Sequence, residues 1–455
     1  MPPSEPSDSL ALLSAPETSQ LRSGDSDVVA SILRIPPEIT AKIFGHCLPD
    51  DPSPPAIERA PLLLGRVCKD WRRIAWGLPE LWSSLKIAGN YLPLELVEAW
   101  LFRAGAAPLS IALKGSRSKY GWDFTRYIAA LQRHAPRWRD MSLELSCEQM
   151  QLFEAELCLP MLERLAIHVI EDKGRLLAPC HAFRNAPALQ HLEMSSNCMG
   201  PSRPITLPLA QLTCFECLTF PLLPKDFLAI LHHTANLVKC KVNIYNPDDS
   251  DPSRLPDVPP LRFLTALRLS AWERDATGIL QHLSLPALQA LDLSEVPLGE
   301  FVAPVQSILS KQGCQLRELA IWITGARLRE AESLQLLETQ PTLEKLDLRK
   351  GSAYLPLAIF RRLHDDPSFL PLLVDLVASP YTWLPETPTL PVMLDTLANA
   401  LPARWVAPPD SFAQIRTCTL SWHGALTDEV DKAIAEFRPR QEELMALGIS
   451  ISVGR

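Results

Sequence analysis

Between Trp138 and Leu348 one phrase keeps returning, Leu-x-x-Leu-x-Leu, usually with a proline one or two residues before it. The copies include LPMLERLAI from 159, APALQHLEM from 186, FLTALRLSA from 263, LPALQALDL from 285, CQLRELAIW from 314 and QPTLEKLDL from 340. The first apolar residue of each copy falls at Trp138, Leu162, Leu189, Leu212, Leu237, Leu264, Leu288, Leu316 and Leu343, at intervals of 24, 27, 23, 25, 27, 24, 28 and 27 residues. A unit of that size cannot bury its apolar side alone, so near-constant repetition demands that successive units stack on one another. Within a copy the later apolar residues alternate with polar ones, as in Leu346-Asp347-Leu348, which turns one strand face inward and the other outward.

Between the strands, residues 147–158, 224–235, 300–312 and 328–338 carry helical apolar spacing. The period and the strand-plus-helix unit resemble leucine-rich repeats. The resemblance implies an α/β solenoid of parallel strands with helical returns over residues 88–455, capped from about 410. The asparagine that commonly follows such a strand stands clearly only at Asn197; Ile170, Trp272, Val296 and Thr324 take equivalent places. An irregular horseshoe is therefore expected, its turns using other backbone partners. A competing reading is an ordinary α/β sheet with leucine-rich strands. After Arg349 the rhythm weakens: 369–379 and 412–422 read as degenerate strands around a proline-rich stretch from Pro380 to Pro409. Asp428–Leu447 reads as a capping helix ended by Gly448, and Ile449–Val453 as a last strand. Residues 94–103 read as a helix and 109–113 as a strand, an irregular opening repeat.

Leu33–Ile87 breaks this rhythm. Ile39, Ile43 and Phe44 share one helical face, and Leu64, Val67, Cys68, Trp71, Ile74 and Ala75 recur at threes and fours on a second helix. Pro36 and Pro37 suit a helix start, where the missing N–H has no partner to lose, and Glu38 stands near the positive helix end. Arg72 and Arg73 are expected on the solvent side. Two short amphipathic helices with this much apolar surface favour a partner.

The order Ile35-Pro36-Pro37-Glu-Ile39, then Ile43-Phe44, then Leu64, Val67-Cys68-Lys-x-Trp71-Arg-x-Ile74-Ala, closing on Pro-Glu-Leu-Trp, resembles an F-box, in particular the F-box-like form abundant in basidiomycete fungi. The resemblance covers residues 31–87. It implies docking on a Skp-type adaptor through Ile35, Pro36, Pro37, Ile39, Ile43, Phe44, Leu64, Val67, Cys68, Trp71 and Ile74, and through that adaptor a link to a cullin-based ubiquitin ligase. The Pro49–Ala60 loop is longer than in many F-boxes. A competing reading makes the segment the solenoid's first cap.

Composition excludes several classes. Of 455 residues, 47% are hydrophobic and the net charge is −8, with no dense Lys/Arg block of the kind phosphate backbones require, so nucleic acid is not expected as a partner. MPPSEPSDSL lacks a basic flank and a long apolar run, and no apolar stretch reaches spanning length, so no membrane is expected either. The 11 scattered cysteines argue for a reducing compartment, hence cytoplasm and/or nucleus. The 43 prolines against 18 glycines punctuate many short elements. Residues 1–30 read as a disordered tail.

Catalytic chemistry is hard to find. Cys214 and Cys217 form a lone Cys-x-x-Cys within a strand, where odd spacing sends the side chains to opposite faces; structural zinc needs four convergent ligands. His232 and His233 diverge on a helix, one expected exposed and the other partly packed. His168 and His191 stand on outward positions of neighbouring repeats, close enough to meet. NPDDSDPSR at 246–254 lacks the glycine and final glutamate of a calcium loop. No metal or cofactor is expected, and no enzyme activity. What remains is the outward strand face, expected to be concave: Glu144, Arg164, His168, His191, Glu193, Glu216, Lys239, Lys241, Arg268, Asp292, Glu318, Trp322, Lys345, Asp347 and Arg349, a surface suited to an unidentified protein substrate. The expected function is a non-catalytic substrate receptor of a cullin-based ligase; the alternative is a scaffolding repeat protein without ligase work.

Overall fold

The computed structural model describes residues 35–88, 92–115, 124–153, 155–169, 179–194, 205–245, 257–271, 275–297, 305–306, 308–310, 313–322, 330–349, 353–366, 368–382, 389–406, 413–424 and 428–454. The readings at residues 1–30, Ile170, Asn197, 246–254, Trp272, Thr324 and much of 300–312 lie outside them. The chain divides into two compact units, residues 1–208 and 209–455.

In the first unit, α1 (Pro37–Gly45), α2 (Leu64–Val67) and α3 (Lys69–Trp76) precede five strands: β1 (Ser84–Ala88), β2 (Leu109–Lys114), β3 (Trp138–Leu145), β4 (Arg164–Val169) and β5 (His191–Met194). They pair parallel in chain order. Helices α4 (Leu94–Arg103), α5 (Phe124–Gln132) and the single turn α6 (Cys147–Met150) provide the returns. The helix expected over 147–158 shrinks to that turn, opened by a capping box between Ser146 and Gln149. The chain beyond it instead bridges Cys158 to Asn185 in parallel.

The second unit runs through β6 (Cys214–Leu222), β7 (Lys239–Ile244), β8 (Ala266–Ala271), β9 (Ala290–Pro297), β10 (Glu318–Trp322), β11 (Lys345–Arg349), β12 (Asp375–Ser379), β13 (Tyr381–Thr382), β14 (Thr417–Ser421), β15 (His423–Gly424) and β16 (Ser450–Gly454). All but β13 and β15 form one parallel sheet in chain order, and those two pair with each other. Its helices are α7 (Pro224–His232), α8 (Asp275–Gln281), α9 (Glu330–Glu338), α10 (Tyr354–Asp365), α11 (Leu390–Val406) and α12 (Asp428–Ala446), and α9 to α12 pack in succession. Mixed α/β structure with long parallel sheets is thus what the repeats build.

Each repeat works the same way. The leading residues Leu162, Leu189, Leu212, Leu237, Leu264, Leu288, Leu316 and Leu343 are buried, and each strand begins two residues later. Trp138 obeys the rule in register, because Asp140 pairs with Arg164. Leu373 before β12 and Ile415 before β14 extend it, so both degenerate segments are true strands. Where an asparagine ladder is wanting, other side chains serve the backbone. Gln340 Oε1 accepts from Leu316 N–H at 3.0 Å, Thr342 Oγ1 donates to Leu316 C=O at 2.8 Å, and Cys314 Sγ donates to Leu285 C=O at 3.0 Å. Gly448 closes α12 at φ +96°, a left-handed value that glycine adopts without strain.

Candidate protein-docking surfaces

Two surfaces collect the residues singled out by sequence. The first is the helical segment before the sheet. Phe44 and Leu64 turn inward: Phe44 is fully buried and meets Trp71 edge-on, ring centroids 4.9 Å apart, fastening α1 to α3. Their role is internal packing, whereas Ile39 (46% exposed), Ile43 (44%) and Val67 (57%) face solvent. Ile39 and Ile43 lie one turn apart on α1, so they share a face. Pro36 and Pro37 are exposed, with Pro36 C=O accepting from the Ile39 and Thr40 amides at 3.0 Å; Ile35, Cys68, Trp71 and Ile74 are half-buried. Cys68 caps α3, its sulfur accepting from Trp71 N–H at 3.4 Å. Arg73 is exposed as expected, but Arg72 is half-buried because its Nε donates to Gly65 C=O at 2.7 Å. Gly65 is required there, since a Cβ would stand 1.9 Å from the Trp76 ring.

This segment is joined to the sheet more closely than its broken rhythm suggests. The turn Pro79–Trp82 buries Leu81 and Trp82, and β1 begins two residues later, inside the stretch read as a separate module. Trp82 Nε1–H donates to Ala75 C=O at 2.9 Å. The long Pro49–Ala60 loop lies along the same strand, Lys86 N–H donating to Ser53 C=O at 3.2 Å. A covered edge is one way a sheet avoids unwanted pairing.

The second surface is the outward strand face, described unit by unit. In the first unit Asp140 gathers Arg164 Nε at 2.6 Å, Arg139 Nε at 3.1 Å and the Ser110 hydroxyl at 2.6 Å. Lys114 and Glu144 pair at 2.7 Å. The register sets exposed His191 beside Arg164, while half-buried His168 finds exposed Glu193 at 3.4 Å; the two histidines do not pair with each other. The hydrogen bond to Glu193 holds the His168 imidazole above its ordinary pKa, against the pull of burial.

In the second unit two rows of outward residues run across the strands. One row is Cys214, Lys239, Ala266, Ala290, Glu318 and Lys345; the next is Glu216, Lys241, Arg268, Asp292, Ala320 and Asp347. Lys241 pairs with Glu216 at 2.9 Å and Arg268 with Asp292 at 3.6 Å. Arg349 grips one oxygen of buried Asp347 through Nε at 2.9 Å and a terminal nitrogen at 2.7 Å. Trp322 is half-buried on the row beyond. The alanines leave a cleft of about 230 Å³ between the charged side chains.

No protein-family model matches the chain, and none of the curated proteins does. Among solved structures, one similar chain is InlP of Listeria monocytogenes, known from a crystal structure, at 14% identity and a TM-score of 0.23 over 64% of this chain. The chain spans 58% of the InlP chain.

Among the described residues no group of three or more His, Cys, Asp or Glu side chains could hold a metal ion, and no helix is long and apolar enough to cross a membrane. Cys214 and Cys217 are both buried, with Cys214 Sγ donating to Glu216 at 3.8 Å. Burial, followed by the Glu216 carboxylate, pushes the Cys214 thiol up. A thiol held protonated is a poor nucleophile and a poor metal ligand. His232 and His233 are both exposed, rings edge-on at 5.3 Å, so the expected packing of one is absent.

Proposed function

We propose that this chain is a non-catalytic substrate receptor: an F-box-like helical segment that docks a Skp-type adaptor of a cullin-based ubiquitin ligase, followed by leucine-rich repeats whose outward strand face holds a protein for modification by other subunits. The single observation that carries the reading is the exposure of Ile39, Ile43 and Val67 on a segment whose own core is already closed by Phe44, Leu64 and Trp71. Apolar burial is worth about 1.5–3 kcal/mol per large side chain, so three left in water favour a partner.

The scaffolding reading has its own support. Trp82 and β1 tie the segment into the sheet, which is what an end cap requires. A cap accounts for the inward residues but gives Ile39, Ile43 and Val67 nothing to do. Co-expression of the full chain with a Skp-type adaptor separates the two. The receptor reading expects co-purification of wild type and its loss in Ile43→Asp/Val67→Asp; failure of the wild type to co-purify removes the ligase role.

A further inference from the structure

We infer that the cleft across β7 to β11 accepts an extended acidic segment of a partner protein. The inference deepens the receptor reading, and rests on it in treating the strand face as the substrate-holding surface.

The cleft exists because of three alanines. Ala266, Ala290 and Ala320 leave the floor at the level of the backbone, between the longer side chains of Lys239, Lys241, Arg268, Lys345 and Arg349. A parallel sheet exposes no free amide ladder on its face, so a ligand here is recognised by side chains, and charge must select it.

The charge is opposite to that of the chain. The whole protein carries −8, yet the cleft is lined by five cationic and three carboxylate side chains. Arg268 pairs with Asp292 at 3.6 Å, Arg349 with Asp347 at 2.7 Å and Lys241 with Glu216 at 2.9 Å, so the excess positive charge of the cleft is Lys239 and Lys345 against Glu318. Lys239 and Lys345 are exposed, and among the described residues neither has a carboxylate within ion-pair distance. They stand at the two ends of the row Lys239, Ala266, Ala290, Glu318, Lys345.

Geometry fixes the length of the occupant. Four strand spacings of about 4.8 Å separate the lysines by about 19 Å, which an extended peptide covers in about six residues at roughly 3.3 Å each. Such a peptide crosses the strands over the alanine floor and places a carboxylate near each lysine.

The test uses a fluorescein-labelled hexaglutamate peptide and its hexalysine counterpart, titrated by anisotropy into the full-length chain. Wild type is expected to bind the acidic probe saturably and the basic probe at least tenfold more weakly. Lys239→Glu/Lys345→Glu should weaken the acidic probe about tenfold or more. Ala290→Trp leaves every charge in place and fills the floor, so it should weaken binding as well, with circular dichroism unchanged in both variants. No saturable binding by wild type, preference for the basic probe, or an Ala290→Trp protein that binds like wild type would each overturn the inference. Adaptor co-purification scored on the same proteins keeps the two ideas apart. Retained adaptor binding without peptide binding sinks the cleft alone, and peptide binding without adaptor binding sinks the ligase role alone.

Discussion

Trp82 meets Trp100 edge-on with ring centroids 4.8 Å apart and an interplanar angle of 73°, and this contact locks the turn after the N-terminal helices onto α4. Trp76 approaches Trp82 from another side at 5.1 Å, and the Arg103 guanidinium lies 5.0 Å from the Trp82 ring centroid. Edge-to-face rings and a cation over an aromatic face each add to plain burial.

Trp82→Ala should therefore be among the most costly changes in the first unit, about 3–5 kcal/mol. Urea unfolding of the full chain, followed by the fluorescence of the other tryptophans, checks it; a loss under about 1 kcal/mol would mean that the cluster is not central.

Asp140→Ala should cost about 1–3 kcal/mol, because it removes the acceptor shared by Ser110, Arg139 and Arg164. Arg164→Ala removes one exposed partner and leaves Asp140 its other two, so it should cost less than about 1 kcal/mol. Equal losses in denaturant midpoint would contradict this ranking.

His168 provides a pH dependence with a definite sign. Its folded pKa is raised, chiefly by the hydrogen bond to Glu193. The stabilisation is fully present below the ordinary histidine value of about 6.5 and is lost as pH rises through the higher folded value. Histidine-selective NMR titration should show Glu193→Gln lowering the His168 midpoint toward the ordinary value; an unmoved midpoint would exclude Glu193 as the cause.

Thiol labelling should sort the cysteines by burial. Cys47 and Cys158 are exposed, whereas burial pushes the Cys418 thiol up to about 12 and the Cys240 thiol higher still. Maleimide labelling read by mass spectrometry is expected to modify Cys47 and Cys158 in the native protein, with Cys240 and Cys418 reacting only after denaturation.

The repeat core was legible because its signal is physical: Leu237, Leu264 and Leu343 must be inside, and the residues two places on must start strands. Where the period stretched, the rule survived but the spacing hid it, as at Leu373 and Ile415. Helices α10 and α11 were harder to see because Pro356, Pro391 and Pro402 resemble breaks. Pro356 and Pro391 fall in a first turn, where proline is tolerated, and only Pro402 is interior. Strand β1 has a weak sequence signal because Leu85 and Ile87 alternate over only a few residues directly after Pro-Glu-Leu-Trp. In the outward face, residue types were readable but partners were not: register, not sequence, pairs Lys241 with Glu216 and, among the described residues, leaves Lys239 without a carboxylate at ion-pair distance.

The central claim is the docking of the N-terminal helices on a Skp-type adaptor, and the most direct measurement is the affinity of the full-length chain for the purified adaptor by isothermal titration calorimetry. Wild type is expected to bind saturably, Lys239→Glu/Lys345→Glu to bind equally well, and Ile43→Asp/Val67→Asp to lose about a hundredfold or more, from two large apolar side chains at about 1.5–3 kcal/mol each. A wild-type chain that does not bind, or an Ile43→Asp/Val67→Asp chain that binds as tightly as wild type, would contradict it.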